Sequence, residues 1–86
     1  MKKQSVTIKN PSGLHARPGK DFVQLAKTFE SEIFLEKGEQ VYNGKSLLKL
    51  MQAGLSQHDE VVLVANGVDE DAALAALVEY MENLVE

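Results

Sequence analysis

The chain has 86 residues, of which 44% are hydrophobic and 26% are charged, as expected for one small globular domain. It contains no Cys, which excludes disulfides, thiolate chemistry and Cys-based metal sites, and its two His are too few for a three-His metal centre. The net charge of −4 and the 6% aromatic content argue against a nucleic-acid-binding protein. No apolar run is long enough for membrane insertion and no signal peptide is visible, so we expect a single domain over residues 1–86 that works in the cytoplasm without a cofactor.

The first half of the chain predicts a strand, a helix and a β-hairpin. Residues 5–9 alternate between apolar and polar side chains, which is typical of a strand, and a strong turn signal follows them. Apolar residues spaced three and four positions apart predict a helix from about residue 16 to about residue 28. Residues 32–36 and 40–42 are then predicted to be two strands joined by a tight turn.

The second half predicts a short helix, a buried strand and a longer helix. Ser46 precedes the short helical segment 47–51 as a candidate N-cap. The apolar run 61–65 is typical of a central strand, and the acidic residues 69–71 open the last helix. The predicted apolar stripe of that helix consists of Leu74, Leu77, Val78, Met81, Leu84 and Val85. The order β-α-β-β-α-β-α predicts an α+β two-layer sandwich, with a mostly antiparallel sheet and the helices on one face.

Charge is divided unevenly along the chain. All nine Lys and Arg lie in residues 1–50 with five acidic residues, whereas residues 51–86 carry eight acidic residues and no Lys or Arg. A fold that separates these halves would have a positive and a negative face, which would steer charged partners. The simpler interpretation, which we favour for the acidic half, is a solvated C-terminal helix. For the basic half the question is whether four residues cluster: Lys20, Lys27, Lys45 and Lys49.

The segment Gly13-Leu14-His15-Ala16-Arg17-Pro18-Gly19 lies where a loop becomes a helix, and it holds the only Arg of the chain. The first amides of a helix have no intrahelical partner, so a helix start can bind an anion. Pro18 suits such a turn but disfavours a helical Arg17, so the helix begins at residue 16 or one to two residues later. The positive helix end and Arg17 both disfavour a protonated His15. We therefore expect a neutral, nucleophilic His15, and an Arg17 that can bind a phosphoryl group bidentately.

Plainer interpretations of the same residues remain open at this point. His15 could simply occupy an N-cap position in a turn, with Arg17 on a solvated helix face. His58 lies in a polar segment and is expected to be a solvated loop residue. An independent enzyme such as a phosphatase is disfavoured, because one His and one Arg without a further acid–base group or a metal cluster leave too few roles filled.

Residues 13–18 resemble the active-site signature of HPr, the family of histidine-containing phosphocarriers of the bacterial phosphotransferase system. The segment Asn43-Gly44-Lys45-Ser46-Leu47-Leu48-Lys49-Leu50 is similar to the second signature of this family, and residues 61–70 match its last strand and the start of its last helix. The resemblance covers essentially the whole chain. It implies an open-faced sandwich whose four-stranded antiparallel sheet has the order 1-4-2-3.

The resemblance implies a carrier and not an enzyme. Enzyme I, charged from phosphoenolpyruvate, would pass a phosphoryl group to Nδ1 of His15, which would pass it to an enzyme IIA domain during sugar uptake. Arg17 would balance the phosphate charge and Pro18 would shape the turn. The face that binds these partners would consist of Ala16, Lys20, Lys27, Lys45, Leu47, Leu48, Lys49 and Met51. Core packing is the alternative for the apolar residues here; we favour it for Phe22 and Leu50 and leave it open for Leu47 and Leu48.

The resemblance also suggests an alternative function. Ser46 resembles the regulatory serine that a dedicated kinase/phosphorylase modifies in some Gram-positive members. The domain could then be a regulatory module in carbon or nitrogen catabolite control, docking a transcription regulator through Ser46 and the short second helix. A plain N-cap is the simpler role for Ser46, and His15 argues against the relatives that lack the histidine and act only as regulators. Gly19-Lys20-Asp21 departs from the small residues more usual in the family, which puts partner preference in doubt.

Overall fold

In the computed structural model, which describes residues 1–85, strands and helices follow one another in the predicted order. The elements are β1 (Lys2–Thr7), α1 (Ala16–Ala26), β2 (Glu32–Lys37), β3 (Gln40–Asn43), α2 (Leu47–Ala53), β4 (Glu60–Asn66) and α3 (Glu70–Glu82). All strand pairs are antiparallel and the sheet order is β1-β4-β2-β3. The predicted α+β sandwich and its sheet order are therefore confirmed. None of the helices within residues 1–85 has the length and apolar character that a membrane span requires.

Strand β4 lies inside the sheet, with β1 on one side and β2 on the other. Val61 of β4 is opposite Val6 of β1, and Leu63 is opposite Leu35 of β2. Because alternate residues of a strand point to opposite faces, Val61, Leu63 and Ala65 share one face, and all three are buried. The register therefore places one apolar row of the sheet beneath the helices.

The helices supply the other half of the core. Phe22 of α1 and Leu50 of α2 are fully buried, which confirms the core role predicted for both. Leu77 of α3 is also buried, and the ring of Tyr80 lies 6.3 Å from that of Phe22, tilted by 60°. Burial of each such large apolar side chain stabilises the fold by about 1.5–3 kcal/mol. The packing of α1 on α3 is therefore anchored at Phe22.

Several predicted boundaries change by one or more residues in the structure, and three changes matter most. Strand β1 covers Lys2–Thr7 and not residues 5–9, because β4 extends far enough to pair with its first residues, Lys2 opposite Ala65. Helix α1 ends at Ala26, two residues early, and the chain continues in turns. Val85 was predicted to belong to the apolar stripe of the last helix, but it lies beyond α3 and is 85% exposed.

Asp69 fixes the start of α3 against the chain that follows α1. Its carboxylate accepts hydrogen bonds from the backbone N–H groups of Glu30 and Ser31, both at 2.9 Å, and from the Ser31 hydroxyl. The Ser31 hydroxyl, followed by the Glu30 amide, lowers the pKa of Asp69. The predicted interaction of acidic side chains with the helix dipole remains at Glu70 and Asp71, which occupy the first turn. Asp69 instead has a tertiary role that the sequence pattern did not reveal.

Candidate functional site

The turn that leads into His15 is braced by its own side chains and by a distant segment. Asn10 is buried, its side-chain amide N–H donates to the Gly13 carbonyl at 2.7 Å, and its backbone carbonyl accepts from the Gly13 N–H at 3.2 Å. The N–H of buried Leu14 donates to the carbonyl of Leu55 at 3.1 Å. Sequence reasoning predicted the turn that begins at Asn10 but not this bracing role of its side chain, although Asn at the start of a turn is a recognisable signal for such a brace.

Gly13 is required where this turn meets the segment after α2. Its φ is +62°, in the left-handed region, and a Cβ added there would lie 2.2 Å from the carbonyl oxygen of Leu55. Gly19 is also buried, and a Cβ on it would lie 2.6 Å from the carbonyl oxygen of Leu14. Both glycines are therefore needed for the packing of the backbone around His15. They allow close approach of backbone segments on either side of His15.

His15 is the N-cap residue of α1 and is partly exposed. Its backbone is extended, with φ −105° and ψ 161°, and its side chain makes no capping hydrogen bond. The imidazole therefore does not cap the start of the helix. Ala16, which follows, has a φ of +49°, a left-handed conformation that costs an ordinary residue about 1–2 kcal/mol. The chain therefore turns sharply between His15 and the body of α1.

The first turn of α1 presents backbone amides next to His15. The first hydrogen bond along the helix runs from the Gly19 N–H to the His15 carbonyl, at 3.5 Å. Pro18 has no N–H, so the amides of Ala16 and Arg17 lie ahead of that bond. Amides in this position, with the positive end of the helix dipole, favour an anion. The geometry is suited to stabilising negative charge beside the imidazole.

Arg17 extends from this turn into solvent. Its side chain is 74% exposed, and its Nε lies 3.8 Å from a carboxylate oxygen of Asp21, one helical turn further on. An exposed pair of this kind on a helix contributes only about 0.3–0.5 kcal/mol. The guanidinium can therefore exchange Asp21 for another anion at little cost.

The surface on the α2 side of α1 is basic and carries exposed apolar side chains. Lys20 of α1 and its C-cap residue Lys27 are exposed and seven residues apart, so they lie on the same side of the helix, and a Cβ on Gly19, next to Lys20, would lie 3.6 Å from Leu47 of α2. On α2, Lys49 is exposed, and Leu48 and Met51 are 66% and 42% exposed. We call this surface the basic flank; it consists of Lys20, Lys27, Leu47, Leu48, Lys49 and Met51.

Two residues of the predicted partner face need separate description. Leu47 is 38% exposed, so the question left open for Leu47 and Leu48 is resolved in favour of the surface. Lys45 differs from the other lysines, because its ammonium donates to the carbonyl of Phe29 at 2.7 Å and its side chain is partly buried. Lys45 was one of the four lysines whose clustering was in question. In the structure it instead braces the junction between α1 and α2.

Ser46 begins α2 as predicted. Its backbone is extended and its hydroxyl oxygen accepts a hydrogen bond from the Lys49 N–H at 3.3 Å, while Gly54 ends the helix with a φ of +62°. Ser46 is partly exposed, so its hydroxyl lies at the edge of the basic flank. His58 is exposed, as expected for a loop residue. No group of three or more His, Cys, Asp and Glu among residues 1–85 is placed to hold a metal ion.

Comparison with known proteins identifies the family. The family model PTS-HPr, described as the PTS HPr component phosphorylation site, matches residues 2–83. The HPr-like protein Crh of Bacillus subtilis is 42% identical over 99% of this chain and 100% of its own, and the phosphocarrier protein HPr of Borreliella burgdorferi is 38% identical over the whole of both chains. The crystal structure of HPr-C-His from Thermoanaerobacter tengcongensis has a TM-score of 0.93 at 46% identity, covering 95% of this chain and 92% of that chain. The chain therefore belongs to the HPr family of the phosphotransferase system, and its role is that of a phosphocarrier or a regulatory HPr-like protein.

Proposed function

We propose that this protein is a cytoplasmic phosphocarrier that is phosphorylated on His15. Enzyme I, charged from phosphoenolpyruvate, transfers a phosphoryl group to Nδ1 of His15, and His15 passes it to an enzyme IIA domain. In each step a nitrogen–phosphorus bond is made or broken at the imidazole while the bond from phosphorus to the other protein is broken or made. The observation that carries the proposal is a partly exposed His15 at the start of α1 whose side chain makes no capping hydrogen bond.

The surroundings of His15 supply the charge stabilisation that this transfer needs. The amides of Ala16 and Arg17 precede the first hydrogen bond of the helix, so they can donate to the oxygens of a phosphoryl group on the ring. The Arg17 guanidinium, whose pair with Asp21 is exposed and 3.8 Å long, can turn to the same oxygens. Because Asn10 braces the preceding turn, the amides of Ala16 and Arg17 need little rearrangement when His15 receives the phosphoryl group. Pro18 contributes by shaping this first turn without adding a further donor.

The basic flank is the surface that we propose for both partners. Its lysines suit acidic surfaces on enzyme I and enzyme IIA, and the exposed Leu48 and Met51 supply apolar contact area at its centre. Ala16, exposed beside His15, completes the face where the phosphoryl group crosses. Lys45 takes a different part, because its bond to the Phe29 carbonyl positions the start of α2. Association through such a surface is expected to weaken as ionic strength rises.

The test is phosphoryl transfer with purified partners. The protein is incubated with enzyme I and labelled phosphoenolpyruvate, and we expect an acid-labile, base-stable phosphoprotein that then labels separate enzyme IIA domains. The His15→Ala variant should take up no label. His58→Ala is the matched control, because His58 lies in an exposed loop, and it should be labelled like the parent chain. Equal labelling of His15→Ala would refute the proposal.

A regulatory role is the second candidate, and two observations favour it. Relatives named HPr-like protein Crh are 42% and 39% identical to this chain. Ser46 is partly exposed at the start of α2, where a phosphate dianion would gain from the helix N-terminus. In this alternative, a serine kinase/phosphorylase modifies Ser46 and the modified domain docks a transcription regulator. Serine phosphorylation that switches on such binding, without any transfer from His15 to an enzyme IIA domain, would favour this candidate over the first.

A further inference from the structure

A groove of about 530 Å³ lies on the other side of α1, between α1 and α3. We call it the acidic groove. Its apolar floor is formed by Leu25, Tyr80 and Leu84, and its polar residues are Asp21, Glu79 and Asn83. None of these residues belongs to the basic flank, although Asp21 also pairs with Arg17 in the first turn of α1. The volume is in the range of protein cavities that hold several ligand side chains or a small molecule.

The floor of the groove is apolar and held in place. Leu25, Tyr80 and Leu84 each pack one side against the hydrophobic core and leave the other partly exposed. The Tyr80 hydroxyl donates to the carbonyl of Pro18 at 2.9 Å, which ties the ring from α3 to the first turn of α1. At the open end, Val85 adds an almost fully exposed apolar side chain. The groove therefore offers a fixed and partly exposed apolar surface.

The two walls carry charge of the same sign. Asp21 lies on the α1 wall with its side chain 44% exposed, and exposed Glu79 lies on the α3 wall. The α3 wall belongs to residues 51–86, which contain no Lys or Arg. Arg17 pairs with Asp21 at 3.8 Å, and 74% of the Arg17 side chain is exposed. Two carboxylates on either side of an apolar floor favour a ligand that is both cationic and apolar.

We propose that the acidic groove docks a cationic amphipathic segment of a partner protein. A Lys or Arg of that segment lies between Asp21 and Glu79, and neighbouring Leu, Ile or Met side chains cover Leu25, Tyr80 and Leu84. The occupant differs in charge from the partners proposed for the basic flank. A cationic segment can therefore bind while the basic flank is occupied, and binding requires neither His15 nor its phosphorylation.

The experiment is an NMR titration of the isotope-labelled full chain with a 16-residue peptide. The peptide carries Leu and Arg at helical spacing on one face, and its counterpart has Glu in place of every Arg. We expect chemical-shift changes at Leu25, Ala76, Tyr80 and Leu84 with the Arg peptide, a dissociation constant below about 1 mM, and no binding of the Glu peptide. Glu79→Lys should weaken binding at least fivefold. Glu82→Lys makes the same charge change at an exposed α3 residue that does not line the groove, and should alter binding less than twofold.

Other outcomes would overturn the proposal. These are an absence of shifts up to 1 mM peptide, shifts confined to the basic flank, or equal effects of the Glu79 and Glu82 variants, which would indicate non-specific attraction. Concentration-dependent shifts of the groove without peptide would show that a second copy of the chain is the occupant instead. His15→Ala should still bind the peptide, and Glu79→Lys should still accept phosphate from enzyme I. Failure of the groove proposal is therefore distinguishable from failure of the phosphocarrier proposal.

Discussion

The two flanks of helix α1 differ in charge although they are only one residue apart in the sequence. Lys20 is an exposed residue of the basic flank, and Asp21 lines the groove between α1 and α3. Consecutive residues of an α-helix are separated by about 100° around its axis, which is enough to move a side chain from one flank to the other. The basic flank and the acidic groove are therefore surfaces of opposite charge on one helix, which we propose bind different partners.

The largest effect is expected from Gly13→Ala, which disturbs the turn above the basic flank. The left-handed φ costs about 1–2 kcal/mol for Ala, and the added Cβ lies 2.2 Å from the Leu55 carbonyl oxygen, so overpacking adds about 1–3 kcal/mol. We expect the free energy of unfolding, measured with urea, to fall by about 2–5 kcal/mol. Phosphorylation of His15 should slow as well, because the turn that presents it is displaced.

Gly38→Ala is the matched control for this variant. Gly38 has nearly the same φ, +61°, but nothing lies within 4 Å of an added Cβ. We therefore expect only the backbone cost, about 1–2 kcal/mol, and normal phosphorylation. Equal destabilisation by the two substitutions would show that the contact between Gly13 and Leu55 is not the cause.

The second prediction concerns the acidic side and its dependence on pH. Asp69→Asn weakens the bonds that hold the start of α3 to Glu30 and Ser31, so the variant should unfold at a lower urea concentration at pH 7. Folding lowers the pKa of Asp69, with the Ser31 hydroxyl as the first cause, so its stabilisation is complete above the unfolded value of about 3.9. That stabilisation is lost as pH falls through the lower folded pKa. The difference between parent and variant should therefore shrink below about pH 4.

Asp71→Asn removes a charge from the same helix without breaking such bonds. Asp71 is 84% exposed and its only recorded ion pair within residues 1–85, with Lys2, is 3.8 Å long. We expect its urea midpoint to stay close to that of the parent chain. A gap between the parent chain and Asp69→Asn that remains constant from pH 7 to pH 3 would contradict the role assigned to the Asp69 carboxylate.

The third prediction compares charge reversals on the two flanks directly. Lys49→Glu should lower the rate constant for phosphoryl transfer from enzyme I by about three- to tenfold at low salt, and less at 0.5 M salt, because it removes attraction at the basic flank. Glu79→Lys should leave this rate within twofold of the parent. If the net charge of the whole molecule controlled association, Glu79→Lys would speed transfer as much as Lys49→Glu slows it.

The smallest expected effect belongs to Ser46→Ala. It removes the oxygen that accepts from the Lys49 N–H at 3.3 Å, and loss of an N-cap of this kind costs about 1 kcal/mol. Ser46→Asn, which can also cap the helix, should restore most of this stability. Phosphoryl transfer through His15 should change little in either variant. A large loss of transfer in both would mean that the Ser46 hydroxyl contributes to partner binding beyond its role as a cap.

Local chemistry made much of the site predictable. Ser46 was predicted to begin α2 because capping depends on residues within the helix and its neighbours. The position of His15 beside a helix start also follows from the order of turn residues, His, Arg and Pro. The bond from Lys45 to the Phe29 carbonyl was not predictable in this way, because it joins the ends of two helices through a flexible side chain.

By itself, the sequence determined the order and type of the elements, the apolar faces that meet in the core, and the placement of one His at a helix start. This information lies in the alternation of apolar residues in strands, their spacing in helices, and the helix caps. Each of these patterns spans only a few residues. Only the tertiary structure decided which charged side chains share a surface and which distant residues are hydrogen-bonded. The Asp69 carboxylate accepts from Ser31 across 38 residues, and the Tyr80 hydroxyl donates to Pro18 across 62. Contacts over such distances depend on how α1 and α3 pack on the sheet, and no local pattern specifies that packing. The acidic groove arises from the same packing.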